Sequence, residues 1–109
     1  MTNHHPNPHR GEIQASIDGQ TYILKLTLGA LAEIEQALAL DLLEISERFE
    51  SSQISAGDCL HILGAALRAG GNDLSDKDVA GMTFEGGPTG AFRLVAQLFI
   101  SAFPPADGA

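Results

Sequence analysis

The chain of 109 residues is 44% apolar and 18% charged, the composition of one globular domain rather than of a disordered segment. Its 6 basic and 14 acidic residues leave a net charge of −8, which argues against nucleic-acid phosphates and anionic membrane surfaces as partners, because both call for a basic footprint. Cys59 is the only cysteine, so an internal disulfide and a cysteine-based zinc site are both excluded. The longest nearly apolar run, residues 94–103, is too short to cross a bilayer.

Residues 1–11 (MTNHHPNPHRG) are polar and proline-bearing and read as a flexible tail, and residues 104–109 (PPADGA) as a second one. No apolar signal-peptide core lies in the first twenty residues, so a cytoplasmic protein is expected. What remains, residues 12–103, reads as one domain. It opens with a β-hairpin, because Asp18-Gly19 tolerates the positive φ angles of a type I′ turn. A two-residue loop there sets Ile17 opposite Gln20, Ala15 opposite Tyr22, Ile13 opposite Leu24 and Glu12 opposite Lys25. Ile13, Ala15, Ile17, Tyr22, Leu24 and Leu26 then form an apolar face that must pack on something, since a lone hairpin is marginal in water.

Helices are expected to supply that cover. Thr27 caps a first helix over residues 28–38, with Leu28, Leu31, Ile34 and Leu38 inward. Asp41 caps a second, reaching about Phe49, with Leu42, Ile45 and Phe49 inward. Ser55 with Asp58 resembles a capping box for a third helix to Ala69, which Gly70-Gly71 stops. Ser75 with Asp78 repeats that signal for a short fourth helix to about Met82. Residues 83–89 (TFEGGPT) read as a loop, and the last helix as residues 90–103. Two strands followed by four or five helices make an α+β domain.

The chemistry-bearing patterns fail on spacing. A calcium loop starting at Asp76 would have Ala80 at its fifth position and Gly87 at its twelfth, where a bidentate Glu is required. His4, His5 and His9 on a tail lack anything to orient their second nitrogens. His61 and Arg68 share the polar edge of the third helix, where the histidine reads as solvated, and Cys59 reads as a buried structural thiol. The glycines at 86, 87 and 90 lack the Gly-Lys-Ser/Thr element of a phosphate loop. No catalytic residue, metal site or cofactor is expected, and the chain does not read as an enzyme. The last helix is the anomaly. Around its wheel Phe92, Val95, Ala96, Phe99 and Phe103 cluster, Leu94 and Leu98 lie on a flank, and Arg93, Gln97 and Ser101 fill a narrow polar sector. A helix apolar over most of its circumference is either central in the core or docks a partner on a second side. The expectation is that Phe92, Phe99 and Phe103 are buried and that Leu94 and Leu98 are exposed for a partner.

Several strings together resemble the gene transfer agent family of small phage-like tail proteins: Ile17-Asp18-Gly19-x-x-Tyr22, residues 26–35 (LTLGALAEIE), residues 63–71 (LGAALRAGG), Met82 and Glu85-Gly86-Gly87. The resemblance covers about residues 10–103. It implies a non-enzymatic tail assembly chaperone that holds the tape-measure protein before the tube polymerises around it, or alternatively a structural tail tube component. The partners it implies are the tape-measure or another tail protein, or further copies of the chain, with the protein cytoplasmic or particle-associated. Only two convincing strands are found, fewer than a tube ring needs. A further alternative is an acidic regulatory protein that mimics DNA. That reading requires a surface stripe of acids, whereas Glu33, Glu35, Glu44, Glu47, Glu50 and Asp76 are scattered over several helices.

Overall fold

Asp18 and Gly19 take φ angles of 53° and 76° in a computed structural model of the protein that describes residues 12–103. Both are the left-handed values a type I′ turn demands. They join β1 (Glu12–Ile17) to β2 (Gln20–Lys25) in an antiparallel pair. The register is the expected one, with Ala15 opposite Tyr22, Ile13 opposite Leu24 and Glu12 opposite Lys25. Lys25 Nζ lies 3.5 Å from Glu12 Oε2, a surface pair that contributes no more than about 1 kcal/mol. The two sequence-assigned tails, and with them His4, His5 and His9, lie outside the described residues.

Five helices follow: α1 (Leu28–Leu38), α2 (Leu42–Glu50), α3 (Ala56–Ala69), α4 (Asp76–Ala80) and α5 (Gly87–Ala102). The molecule is an α+β fold in which α3 and α5 pack on the hairpin and the other helices pack on them or on each other. Thr27, Asp41, Ser55 and Ser75 all accept from a backbone N–H in the first turn that follows, and the last three close full capping boxes. Each such cap satisfies a donor that would otherwise be orphaned, and is worth about 1 kcal/mol.

The middle of the molecule is α3, buried continuously from Ile62 to Leu67. It packs on α1, β2, α4 and α5, which is why its sequence shows apolar residues on nearly every side. Its last turn presses on β2. A Cβ added at Gly70 would stand 2.0 Å from the Ile23 carbonyl oxygen, so only glycine allows that approach. Asn72 then donates from Nδ2 to the same Ile23 oxygen and to the Leu67 carbonyl, both at 2.9 Å.

Three expectations are corrected. Leu28 is 82% exposed, because at about 100° per residue it lies outside the stripe that Ala30, Leu31, Ile34 and Leu38 turn inward. Residues 87–89 are helical rather than loop. Gly86, at φ 85°, turns the chain, and Pro88 sits in the first turn, where its fixed φ suits a helix start. Most consequentially, Leu94 and Leu98 are buried at 7% and 0% exposure, whereas Phe92 and Phe103 reach the surface.

The reason lies upstream of α5. The backbone N–H of Asp18 donates to the Thr83 carbonyl at 2.8 Å, and the N–H of Thr83 donates to Asp18 Oδ1 at 2.8 Å. Phe84 then bridges to Ile17, and the N–H of Glu85 donates to the Ser16 carbonyl at 3.2 Å. That clamp fixes where α5 begins. Gly90, Leu94 and Leu98, spaced four apart, consequently share the face that turns onto β1, β2 and α3.

Leu67→Ala is expected to cost about 3 kcal/mol as a buried large-to-small change, and Gly70→Ala about 1–3 kcal/mol by forcing α3 off β2. Urea unfolding of both variants measures this, and a neutral Gly70→Ala would show that the approach is not binding on the fold.

Acid should weaken the α4 cap. The Ser75 backbone N–H, donating to Asp78 Oδ2 at 2.9 Å, and then the Ser75 side chain hold the Asp78 carboxyl below its ordinary range. A group depressed in the folded state adds stability above its unfolded pKa and loses it as pH falls through the folded one. The stability gap between the wild type and Asp78→Asn should therefore be open at neutral pH and close in acid, as read from melting curves across that range.

Candidate partner-binding surface

The outward face of α5 carries the wheel positions of Phe92, Ala96, Phe99, Ile100 and Phe103. Ile100 is 66% exposed and Phe103 45%. Phe99 and Ala96 are half-buried. Phe49 of α2 closes one side. Its ring stacks on Phe92 with centroids 5.2 Å apart and meets Phe99 at 5.9 Å, and Phe99 in turn stacks on Phe103 at 6.2 Å. Offset ring pairs of this kind add about 0.5–1.5 kcal/mol beyond burial. The four phenylalanines form a ladder along the α2/α5 seam, half in the protein and half in water.

Two concavities flank the ladder. A groove of about 250 Å³ lies between α2 and α5, lined by Ser46, Phe49 and Glu50 on one wall and by Ala96, Phe99, Ile100 and Phe103 on the other. A cleft of about 420 Å³ opens at the other end, with Cys59, Leu60 and Leu63 of α3, Val79 of α4, and Ala91 and Phe92 of α5 in its walls. Phe92 borders this cleft and stacks on Phe49 of the groove, so the two concavities share one apolar surface.

The cleft walls are held by charge. Asp76 at the start of α4 receives Arg68 Nη1 on Oδ1 at 3.0 Å and faces His61 Nδ1 with Oδ2 at 2.8 Å. Arg68 also donates to the Leu74 carbonyl at 3.0 Å and pairs with Glu33 of α1. Burial works against the Arg68 cation, but the hydrogen bonds it donates to Asp76 and Glu33 outweigh it and raise its pKa. Gly64 makes the approach possible, since a Cβ there would stand 2.0 Å from Asp76 Oδ1. His61 is thus paired rather than simply solvated. Its partner lies 15 positions away across a turn, where no helical spacing rule reaches. Because His61 lies on α3 and Asp76 on α4, the pair links the two helices.

Cys59 is buried, and burial first and the neighbouring Asp58 carboxylate second push its thiol pKa up. That is the opposite of an activated nucleophile. Asp76 is occupied by Arg68 and His61, while Asp78 caps α4. Among the described residues no group of three His, Cys, Asp or Glu could hold a metal ion, and no helix is long and apolar enough to cross a membrane.

Residues 10–104 match a protein family described as "Phage tail tube protein, GTA-gp10". The chain belongs to that family. It is accordingly a phage-tail-type protein of the gene transfer agent group, and the strings quoted from the hairpin, α1 and α3 were the legible sign of it. No curated protein and no solved structure gives a match.

The two faces of α5 should respond oppositely to substitution. Leu98→Ala should cost about 2–5 kcal/mol, while Ile100→Ser should change stability by no more than about 0.5 kcal/mol. Chemical denaturation decides it. A reversed order would return Leu94 and Leu98 to the surface and the phenylalanines to the core.

Proposed function

We propose that this tail protein is a non-enzymatic assembly chaperone, which holds an amphipathic helical stretch of another tail protein, the tape-measure chain, during tail morphogenesis. The observation that carries the reading is the exposed phenylalanine ladder along the α2/α5 seam. Contiguous apolar surface rimmed by polar residues is the mark of a docking site, and a helix laid in a groove is the recognition mode that fits it. The net charge of −8 keeps a protein with such a face dispersed.

The family description favours a second reading, a component of the tail tube itself. Against it stands the small sheet. Among the described residues the strands number two, and the outward backbone groups are in part already taken. Ser16 O accepts from Glu85 and Ile23 O from Asn72, which blunts both edges against strand addition. A DNA-mimic role is less well supported, because Glu33 and Asp76 pair with Arg68 while Asp41, Asp58 and Asp78 cap helices.

Co-expression with the tape-measure protein of the same gene cluster, followed by pull-down and size exclusion, tests the proposal. The wild type should co-elute with that chain, and Ile100→Gln with Phe103→Gln should lose it while staying folded by circular dichroism. Recovery of the chain from purified particles, with no tape-measure complex before assembly, would favour the tube reading instead.

A further inference from the structure

The geometry points to a basic amphipathic helix, about three turns long, as the occupant of the α2/α5 groove. This inference rests on the reading of that seam as the partner surface and adds the charge pattern of what binds there. The floor is apolar, from Phe49, Phe99 and Phe103, with Ile100 standing exposed beside it. The α2 wall is different. Glu50 lines the groove directly, and the helical wheel sets Leu43, Ser46, Glu47 and Glu50 within about 100° of one another on that same flank. Leu43 is 68% exposed. The α2 wall thus carries the Glu50 carboxylate, with Leu43 and Glu47 farther out on the rim beyond it, and no Lys or Arg stands among the residues that line the groove. Arg48 lies about 160° from Glu50 around α2, and Arg93 lies about 10 Å along α5 from Ile100, at a rise of about 1.5 Å per residue.

Such a rim selects its ligand by sign. A helix presenting Leu, Ile or Phe to the ladder, with Lys or Arg along one border, would satisfy both floor and wall. From Phe92 to Phe103 the ladder runs about 16 Å along α5, which sets the length at about eleven residues of partner helix. A second copy of this chain fits poorly: each copy carries a net charge of −8 and would bring Glu47 and Glu50 to an interface already lined by carboxylates.

The test uses the full chain and two synthetic helical peptides with one identical leucine face, the first flanked by lysines and the second by glutamates. Fluorescence anisotropy at low salt should show the lysine peptide binding at least about tenfold more tightly, and this preference should shrink several-fold at about 0.5 M salt. Glu47→Gln with Glu50→Gln should erase the preference with the melting temperature unchanged. Ile100→Gln with Phe103→Gln should weaken the lysine peptide about tenfold. Equal affinity for both peptides, or a preference that survives loss of the two glutamates, overturns the charge assignment even if the tape-measure chain co-elutes. Binding of neither peptide overturns the groove as a helix site, and a concentration-dependent dimer abolished by Ile100→Gln with Phe103→Gln would assign the face to a second copy.

Discussion

Everything on the functional side of this molecule depends on the clamp between the hairpin turn and the segment before α5. Asp18 gives and receives one hydrogen bond each with Thr83, and Ser16 receives a third from Glu85. These bonds are individually worth only about 1 kcal/mol, yet they choose between two ways of rotating a helix that is apolar almost all round. With the clamp in place, Leu94, Val95 and Leu98 close the core, and the phenylalanines are displaced to the seam with α2. The aromatic surface is thus a by-product of where a turn 65 residues earlier holds the chain.

Local signals were legible and distant ones were not. The hairpin register followed from Asp18-Gly19 because turn chemistry and strand alternation act within a few residues. The caps at Thr27, Asp41, Ser55 and Ser75 were readable for the same reason, and they place four helix starts correctly. The facing of α5 was not readable. Its polar sector, Arg93 and Gln97, borders both candidate faces, and the contacts that break the tie come from Ser16, Asp18 and Ile17. Aromatic bulk was a misleading guide to burial, because large rings can be half-buried against one another as readily as fully buried in a core. The pairing of His61 and Arg68 with Asp76 likewise needed the turn after α3. The one hint in the sequence was Gly64, four residues before Arg68 on α3, which leaves room for a carboxylate.

Among the described residues most of the polar side chains that could carry chemistry are committed to the fold: carboxylates cap helices or pair with Arg68, and the thiol is buried with its pKa raised. The large exposed apolar side chains of α5, Phe92, Ile100 and Phe103, lie together on one seam. Leaving Ile100 and Phe103 in water gives up folding free energy of about 25 cal/mol for each Å² not covered. In the chaperone role proposed above, that loss would be repaid on meeting the partner chain.

The helices that form the seam are unequally secured. α5 is bound to the hairpin and to α3, whereas α2 rests on α1, on the single fully buried side chain of Ile45, on the Phe49 ring contacts, and on the Leu42 amide donating to Glu35. Regions with few buried contacts open at a small fraction of the global unfolding free energy. Amide exchange along α2 should then run ahead of exchange along α3. If the seam holds a partner helix as proposed, the groove would have one firmly held side in α5 and one lightly held side in α2, and could fit helices of differing girth without refolding the domain.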